Sequence, residues 1–267
     1  MTDEPGEILH GGIANAGAVV RVGNEVVRPA TANGATIHRL LRHLERSGLD
    51  IAPRPIAWTP GASERLSFVP GDVAIRPYPA WAQTDAALAS ITRLIRELHD
   101  ATRDFVTAPE DVWNTEEADP EPGGTVVGHN DVCLENVVFR DGVAVALLDF
   151  EFAAPVRPTW DLASFARQCV PIDDDFDRQR LGWTVTGLAA RLRLIVDTYG
   201  CTLSARQEIV PLLEQALAKH EAWVRRHVAA GEPGVIALWE AGGGAARFDR
   251  RREWWTRSRG TFAAAMA

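Results

Sequence analysis

Apolar and polar positions alternate, then cycle, along this chain, and the change of period divides it. Val19-Val20-Arg21-Val22, Gly23-Asn24 and Glu25-Val26-Val27-Arg28 read as two short strands around a turn. A helical stretch follows at about Thr36–Ser47, and a second strand pair turns at Pro60-Gly61. From Thr84 the period lengthens: Leu88, Ile91, Leu94, Ile95 and Leu98 recur at helical spacing to Thr102, with Thr84 placed as N-cap. Pro109 to Gly124 is acidic, rich in Pro and Gly, and has no period, which predicts a long surface loop whose acidic residues are solvated. Val137-Val138-Phe139 and Val143–Leu148 flank Arg140-Asp141-Gly142, a hairpin signal. Beyond them the pattern is helical. Leu181–Tyr199 carries Val185, Leu188, Leu192, Ile195 and Val196 on one face and stops at Gly200. Ser204-Ala205-Arg206-Gln207 has capping-box form and opens a helix to about Ala230, with Pro211 expected to bend or restart it. Trp223, Trp239, Trp254 and Trp255 are expected in core and inter-helix packing.

The chemistry-bearing segment lies across the predicted hairpin. His129-Asn130-Asp131-Val132-Cys133-Leu134-Glu135-Asn136 has the form H-x-D-x-x-x-x-N, and Asp149-Phe150-Glu151 follows. Kinase catalytic loops have this spacing, with a metal-binding D-F-G downstream. A hydroxyl attacking a γ-phosphate must lose its proton, so a carboxylate must sit beside it, and Asp131 is the candidate. Asn136 and Asp149 offer the hard oxygen ligands that Mg²⁺ prefers. A hairpin between them would bring its two ends, and so both ligands, together.

With Val127-Gly128 before it and Trp160-Asp161-Leu162-Ala163 after it, this run resembles the aminoglycoside phosphotransferase and choline kinase-like family. The resemblance implies an α+β, protein-kinase-like two-lobed fold, with a β-rich nucleotide lobe over residues 1–70 and a helical lobe over 71–267 carrying the catalytic loop and acceptor site. It implies ATP or GTP as phosphate donor, Mg²⁺, and a small-molecule hydroxyl as acceptor: an aminoglycoside-like antibiotic, or a choline-, homoserine- or sugar-like metabolite. Asp131 would be the base, Asn136 and Asp149 the metal ligands, and His129 and Asp161 braces of the loop. Glu151 is given a metal-proximal position. Phe68 and Val69 would offer hinge backbone to the adenine.

The nucleotide lobe departs from the kinase pattern. The glycines of His10–Val20 do not form G-x-G-x-x-G, and the one Lys of the chain, Lys219, falls in a C-terminal helix instead of the third strand. Arg28, ending the strand Glu25–Arg28, is the substitute for gripping phosphate oxygens, with Glu45 of the following helix to orient it. His38 on the same helix is read as a packed residue. These departures motivate a second reading, a nucleotide-binding pseudokinase or regulatory module, although Asp131, Asn136 and Asp149 argue for catalysis. A metal-dependent hydrolase built on His129 and Asp131 lacks further ligands at useful spacing.

Composition narrows the partners. At 267 residues, 46% hydrophobic and 24% charged, the chain describes one globular protein, and its net charge of −8 disfavours a nucleic-acid binder. No apolar run has transmembrane length and the start lacks signal-peptide features, so no membrane is expected and the cytoplasm is the expected compartment. Cys133, Cys169 and Cys201 have neither disulfide nor metal spacing, and Cys133 is read as packing. For the acceptor the acidic candidates are Asp173, Asp174, Asp175, Asp177, Glu214, Glu221 and Glu240, each of which is ordinarily a solvated helix-face charge.

Overall fold

The computed structural model describes residues 6–9 and 18–267. The glycine turn expected at His10–Gly17 lies outside the described residues. Strands β1 (Glu7–Ile8), β2 (Val20–Val22), β3 (Glu25–Pro29), β4 (Pro55–Thr59) and β5 (Ser63–Ser67) form an antiparallel sheet in the order β1-β2-β3-β5-β4. Helix α1 (Gly34–Arg46) lies between β3 and β4 in sequence and buries Ile37, Leu40, Leu41 and Leu44, the residues of its i, i+3, i+4 stripe. In the β3–β5 ladder Arg28 stands directly opposite Glu64.

Past β6 (Asp72–Val73) the chain becomes helical. Helix α2 (Asp85–Thr102) starts where the Thr84 hydroxyl accepts a hydrogen bond from the Ala87 amide at 3.0 Å. Strand β7 (Val126–Gly128) precedes the catalytic segment, and β8 (Val137–Arg140) and β9 (Val143–Leu147) form the hairpin after it. Asp141 and Gly142, with φ of 52° and 75°, close that hairpin with the left-handed residues such a turn requires. Strand β10 (Ala154–Val156) pairs with β7. Helix α3 (Pro158–Cys169) comes next, then the short α4 (Asp175–Arg180). Helices α5 (Leu188–Tyr199), α6 (Leu203–Ala229), α7 (Pro233–Ala241) and α8 (Ala245–Met266) complete the chain. The main core runs from α1 through α2 and the β8–β9 hairpin to α3, α5 and α6, with Trp160, Phe139 and Phe165 fully enclosed.

Three expectations need revision. Residues 181–187 are not helical: Gly182 and Gly187 have φ of 82° and 64°, so α5 begins only at Leu188. The long helix is capped by Thr202, whose hydroxyl accepts from the Ala205 amide, and Pro211 sits inside α6 without ending it. The acidic loop is tied down. Asp111 and Asp119 are bound by Arg39 and Arg157, and Glu117 is buried. Lys219 anchors the same loop by donating to the carbonyls of Thr115 (3.1 Å) and Ala118 (2.5 Å). Among the described residues no helix is long and apolar enough to cross a membrane.

Candidate active site

The β8–β9 hairpin brings the two ends of the motif together. Leu148 N–H donates to the Asn136 carbonyl at 2.8 Å, which leaves Asp149 beside Asn136 at the hairpin mouth. Asn136 Nδ2 donates both to the backbone carbonyl of Asp131 (2.9 Å) and to its carboxylate (3.1 Å). The other Asp131 oxygen accepts from Gln168 Nε2 at 2.9 Å. Burial pushes the Asp131 carboxyl up to about 7, against the Gln168 hydrogen bond and the nearby Arg167 charge, with Asp149 adding to the rise. A carboxylate poised near neutrality matches the requirements of a general base.

The loop is held in an uncommon backbone shape. Asn130 and Asp149 have φ of 63° and 59°, left-handed values that cost a residue other than glycine of order 1 kcal/mol or more. Asp161 secures the first of them. Its carboxylate accepts from the amides of His129 (3.0 Å) and Asn130 (2.6 Å) and is met by His99 Nε2 at 2.9 Å, whose other ring nitrogen meets the Tyr199 hydroxyl at 2.8 Å. Burial works against its charge, yet the His99 hydrogen bond and the neighbouring imidazoles hold its pKa below the usual carboxylate value. Gly128 makes this approach possible: a Cβ there would stand 2.9 Å from the Asp161 carboxyl carbon and 2.5 Å from a Val156 methyl. His129 donates from Nε2 to the Leu148 carbonyl at 2.8 Å and packs on Phe150, and burial keeps it neutral by lowering its pKa. Cys133 is enclosed and its thiol is pushed well up by burial, so it offers no nucleophile.

Arg28 reaches this site from the sheet, but Glu45 does not accompany it. Arg28 Nε donates to Glu64 at 2.5 Å and Nη1 donates to Asp149 at 2.8 Å. Glu45 instead lies half-exposed, 3.8 Å from Arg54. What α1 contributes is His38, whose Nε2 is 3.0 Å from the second Glu64 oxygen. Burial opposes the charges of Arg28 and Glu64, but Asp149 and then Glu64 hold the arginine ionised, and His38 and then Arg28 hold the glutamate, so the arginine pKa rises and the glutamate pKa falls. Glu45 was the natural choice in sequence because it is on the right helix; strand register put Glu64 opposite Arg28 and decided otherwise.

Phe68 and Val69 line the same cavity, alongside the apolar side chains of Val19, Val26, Leu66, Val138 and Leu148. The Phe68 amide is engaged by the Asn24 carbonyl at 2.8 Å, and Arg21 lies 3.8 Å over the Phe68 ring. The cavity, of about 880 Å³, extends from this slot past Asp149 and Asp131 to a second chamber walled by α3, α6, α7 and α8. Glu151 lines the same cavity, and burial followed by the Asp149 charge raises its pKa.

The second chamber departs from the sequence reading. Trp223 and Trp239 line it while also packing, as expected, between helices against Val224, Val235 and Phe248. Four of the acidic candidates are neutralised: Asp173, Asp174 and Asp177 are tied to Arg247, Arg250 and Arg180, and Glu221 to Arg225 and Arg252. That ion-pair network also explains why these clustered carboxylates need no metal. Glu116, Glu117, Arg167, Gln168, His220 and Arg251 line the cavity and were not singled out from the sequence. Gln168 alone had a signal: seven residues beyond Asp161 on one helix, it shares that residue's face.

A β-sheet over a catalytic hairpin, with a cleft between sheet and helices, defines a protein-kinase-like fold. Solved structures share it. A choline/ethanolamine kinase family protein from Mesorhizobium loti superposes with a TM-score of 0.64 at 17% identity, covering 98% of this chain and 92% of the other. An ADP-bound aminoglycoside phosphotransferase gives 0.54 at 12% identity, covering 98% and 95%. The model of the phosphotransferase enzyme family matches residues 108–195, the stretch that holds the catalytic loop and α3. The trifolitoxin immunity protein of Rhizobium leguminosarum bv. trifolii is 33% identical over 261 residues, covering 93% of this chain and 95% of that protein. The chain belongs to the phosphotransferase enzyme family.

Proposed function

We propose that this protein transfers the γ-phosphate of ATP or GTP to a hydroxyl of a small molecule, with Asp131 as the base. The observation that carries this reading is the joint placement of Asp131, Asn136 and Asp149 at the floor of one cleft. Asp131 lies where the slot beneath the sheet opens into the second chamber, so a hydroxyl entering from the chamber meets its carboxylate. Gln168 and Asn136 fix that carboxylate's orientation and leave lone pairs for the incoming proton.

The donor set fits Mg²⁺. Asn136 turns its side-chain amide nitrogen to Asp131, and its side-chain oxygen Oδ1 has no donor among the described residues. Asp149 and the desolvated Glu151 add carboxylates beside it. When bound, the cation would neutralise triphosphate oxygens as charge shifts to the leaving group. We assign Asn136 and Asp149 as its ligands, and Arg28, braced by Glu64 and His38, as the grip on the phosphates. Phe68 and Val69 supply the adenine edge: with the Phe68 amide engaged, the Val69 amide and the Phe68 carbonyl are the hinge groups left for the base. His129 and Asp161 hold the loop in shape and touch no substrate. We take residues 1–70 as the nucleotide lobe and 71–267 as the acceptor lobe, and place the reaction in the cytoplasm, where nucleoside triphosphates are supplied.

The immunity function named for the 33% identical relative makes toxic compounds the first acceptors to assay, followed by metabolites. The test is transfer of labelled γ-phosphate from Mg-ATP or Mg-GTP to such a panel, with Asp131→Asn beside the wild type. Loss of the base should lower turnover about 10²- to 10⁴-fold and leave the nucleotide KM in place. A variant retaining near-normal turnover would remove Asp131 from the mechanism.

A further inference from the structure

Among the described residues, the acceptor chamber holds two buried arginines that no carboxylate meets in an ion pair. Arg167, on the last turn of α3, is only 9% exposed, and its Nε is wholly enclosed without a hydrogen-bond partner. No side-chain hydrogen bond or ion pair reaches its guanidinium among the described residues. Arg251, on α8, is 4% exposed and donates to a single carbonyl, Leu217, at 3.1 Å. Both line the cavity.

The neighbouring carboxylates are engaged elsewhere. Asp131 is held by Asn136 and Gln168, and Asp173 by Arg247. Glu221 is held by Arg252 and Arg225. Glu117 meets His220 at 3.4 Å, and Glu116 accepts from Trp223 Nε1 at 2.9 Å while meeting His227 at 3.2 Å. Burial pulls the Arg251 guanidinium down to about 10; the Asp173 charge opposes this from a distance and the Arg247 and Arg167 charges add to it, so it stays protonated at neutral pH. His220, which feels both Arg167 and Arg251, is held down at about 3 chiefly by burial and is neutral. A buried charge without a partner is strongly destabilising. Two that repel each other in one chamber form a site pre-charged for an anion.

We propose that Arg167 and Arg251 form a carboxylate-binding subsite at the acceptor end of the cavity, so that the hydroxyl compound phosphorylated here is itself a carboxylic acid. A guanidinium presents a planar fork that matches the two oxygens of a carboxylate. Arg167 adjoins Gln168, the residue bound to the Asp131 carboxylate, so an acid held there keeps the rest of its skeleton beside the base. Trp223, Trp239 and Phe248 supply apolar wall for that skeleton. A purely cationic acceptor would face two like charges that no carboxylate pairs directly. The assignment of this chamber to the acceptor rests on the phosphotransferase reading above; the anion site itself does not.

The test uses three probes of one shape and different charge. Benzoate, benzamide and benzylamine are titrated calorimetrically into the full chain at constant ionic strength, with ADP titrated in parallel. Benzoate should bind at least about tenfold more tightly than either of the others, and Arg167→Met should lose at least about that factor while ADP affinity is retained; each tenfold step is about 1.4 kcal/mol. The exposed Arg257→Gln should change nothing. Without ligand, Arg167→Met should melt higher than the wild type, because it removes a buried charge that has no hydrogen-bonded partner. If loss of ADP binding shows that Arg167→Met is misfolded, Arg251→Met takes its place. Benzylamine binding as well as benzoate, no measurable benzoate binding, or full benzoate affinity in the folded variant would each overturn the subsite. Benzoate binding as described in a protein that transfers no phosphate to any acceptor would leave the subsite standing and refute the kinase reading instead.

Discussion

Replacing Glu64 separates the tertiary account of the phosphate grip from the one suggested by sequence. Glu64 is fully buried and bonded through both oxygens, to Arg28 Nε at 2.5 Å and to His38 Nε2 at 3.0 Å. Glu64→Ala leaves the Arg28 guanidinium buried, with Asp149 as its remaining carboxylate partner. Breaking a buried ion pair from one side costs about 3–5 kcal/mol. Two charge-assisted hydrogen bonds at about 1.5–3 kcal/mol each give a similar figure. At about 2–4 °C per kcal/mol for a chain of this size, melting should fall by roughly 10 °C. The freed Arg28 should also swing further onto Asp149, so the ATP KM should rise at least tenfold. Glu45→Ala removes a half-exposed carboxylate 3.8 Å from Arg54, worth about 0–1 kcal/mol, and should leave both readouts unchanged. Urea denaturation and the ATP dependence of turnover measure the pair side by side. Equal losses in the two variants, or a larger one for Glu45→Ala, would refute the assignment of Glu64 as the partner of Arg28.

Gly128→Ala places a Cβ against the Asp161 carboxyl and Val156, so it should pull Asp161 off the His129 and Asn130 amides and lower kcat far more than the nucleotide KM; steady-state kinetics with unchanged kcat would argue against the bracing role. His220 is held at about 3 in the folded protein and near 6.5 when unfolded, so the unfolded chain binds the extra proton and stability falls as pH drops through this window. The loss is at most about 1.4 kcal/mol per pH unit. Denaturation at pH 7 and pH 5 should show a steeper loss in the wild type than in His220→Gln, and parallel losses would mean that the imidazole is not held neutral. Adding excess chelator should abolish transfer from ATP and weaken ATP binding in the wild type but have little effect on ATP binding by Asp149→Ala; chelator-insensitive transfer would remove the metal from the scheme.

The parts of this protein that were legible in sequence share one property: each depends on residues close together along the chain. Hairpin closure by Asp141-Gly142 follows from local backbone preference, so it could be read directly and with it the meeting of Asn136 and Asp149. The Thr84 cap and the apolar stripe of α2 are likewise local. Errors arose where a residue's role depends on a distant partner. The α6 cap is a local exception: Thr202, not Ser204, caps the helix, because two hydroxyl residues two positions apart offer the same signal. The acidic loop looked solvated by composition but is bound by Arg39, Arg157 and Lys219, drawn from three different elements.

By itself, then, the sequence determined the kinase-like class and the order of chemistry along the chain, because the spacing from His129 to Asn136 and the hairpin to Asp149 are short-range constraints. Only the tertiary structure decided which charges neutralise which. Cross-strand register gave Arg28 to Glu64, and helix packing gave Asp173 and Asp177 to Arg247. The same packing left Arg167 and Arg251 without a carboxylate of their own among the described residues. Charges interact through space over a few ångströms, and no pattern along the chain records which residues those few ångströms will contain.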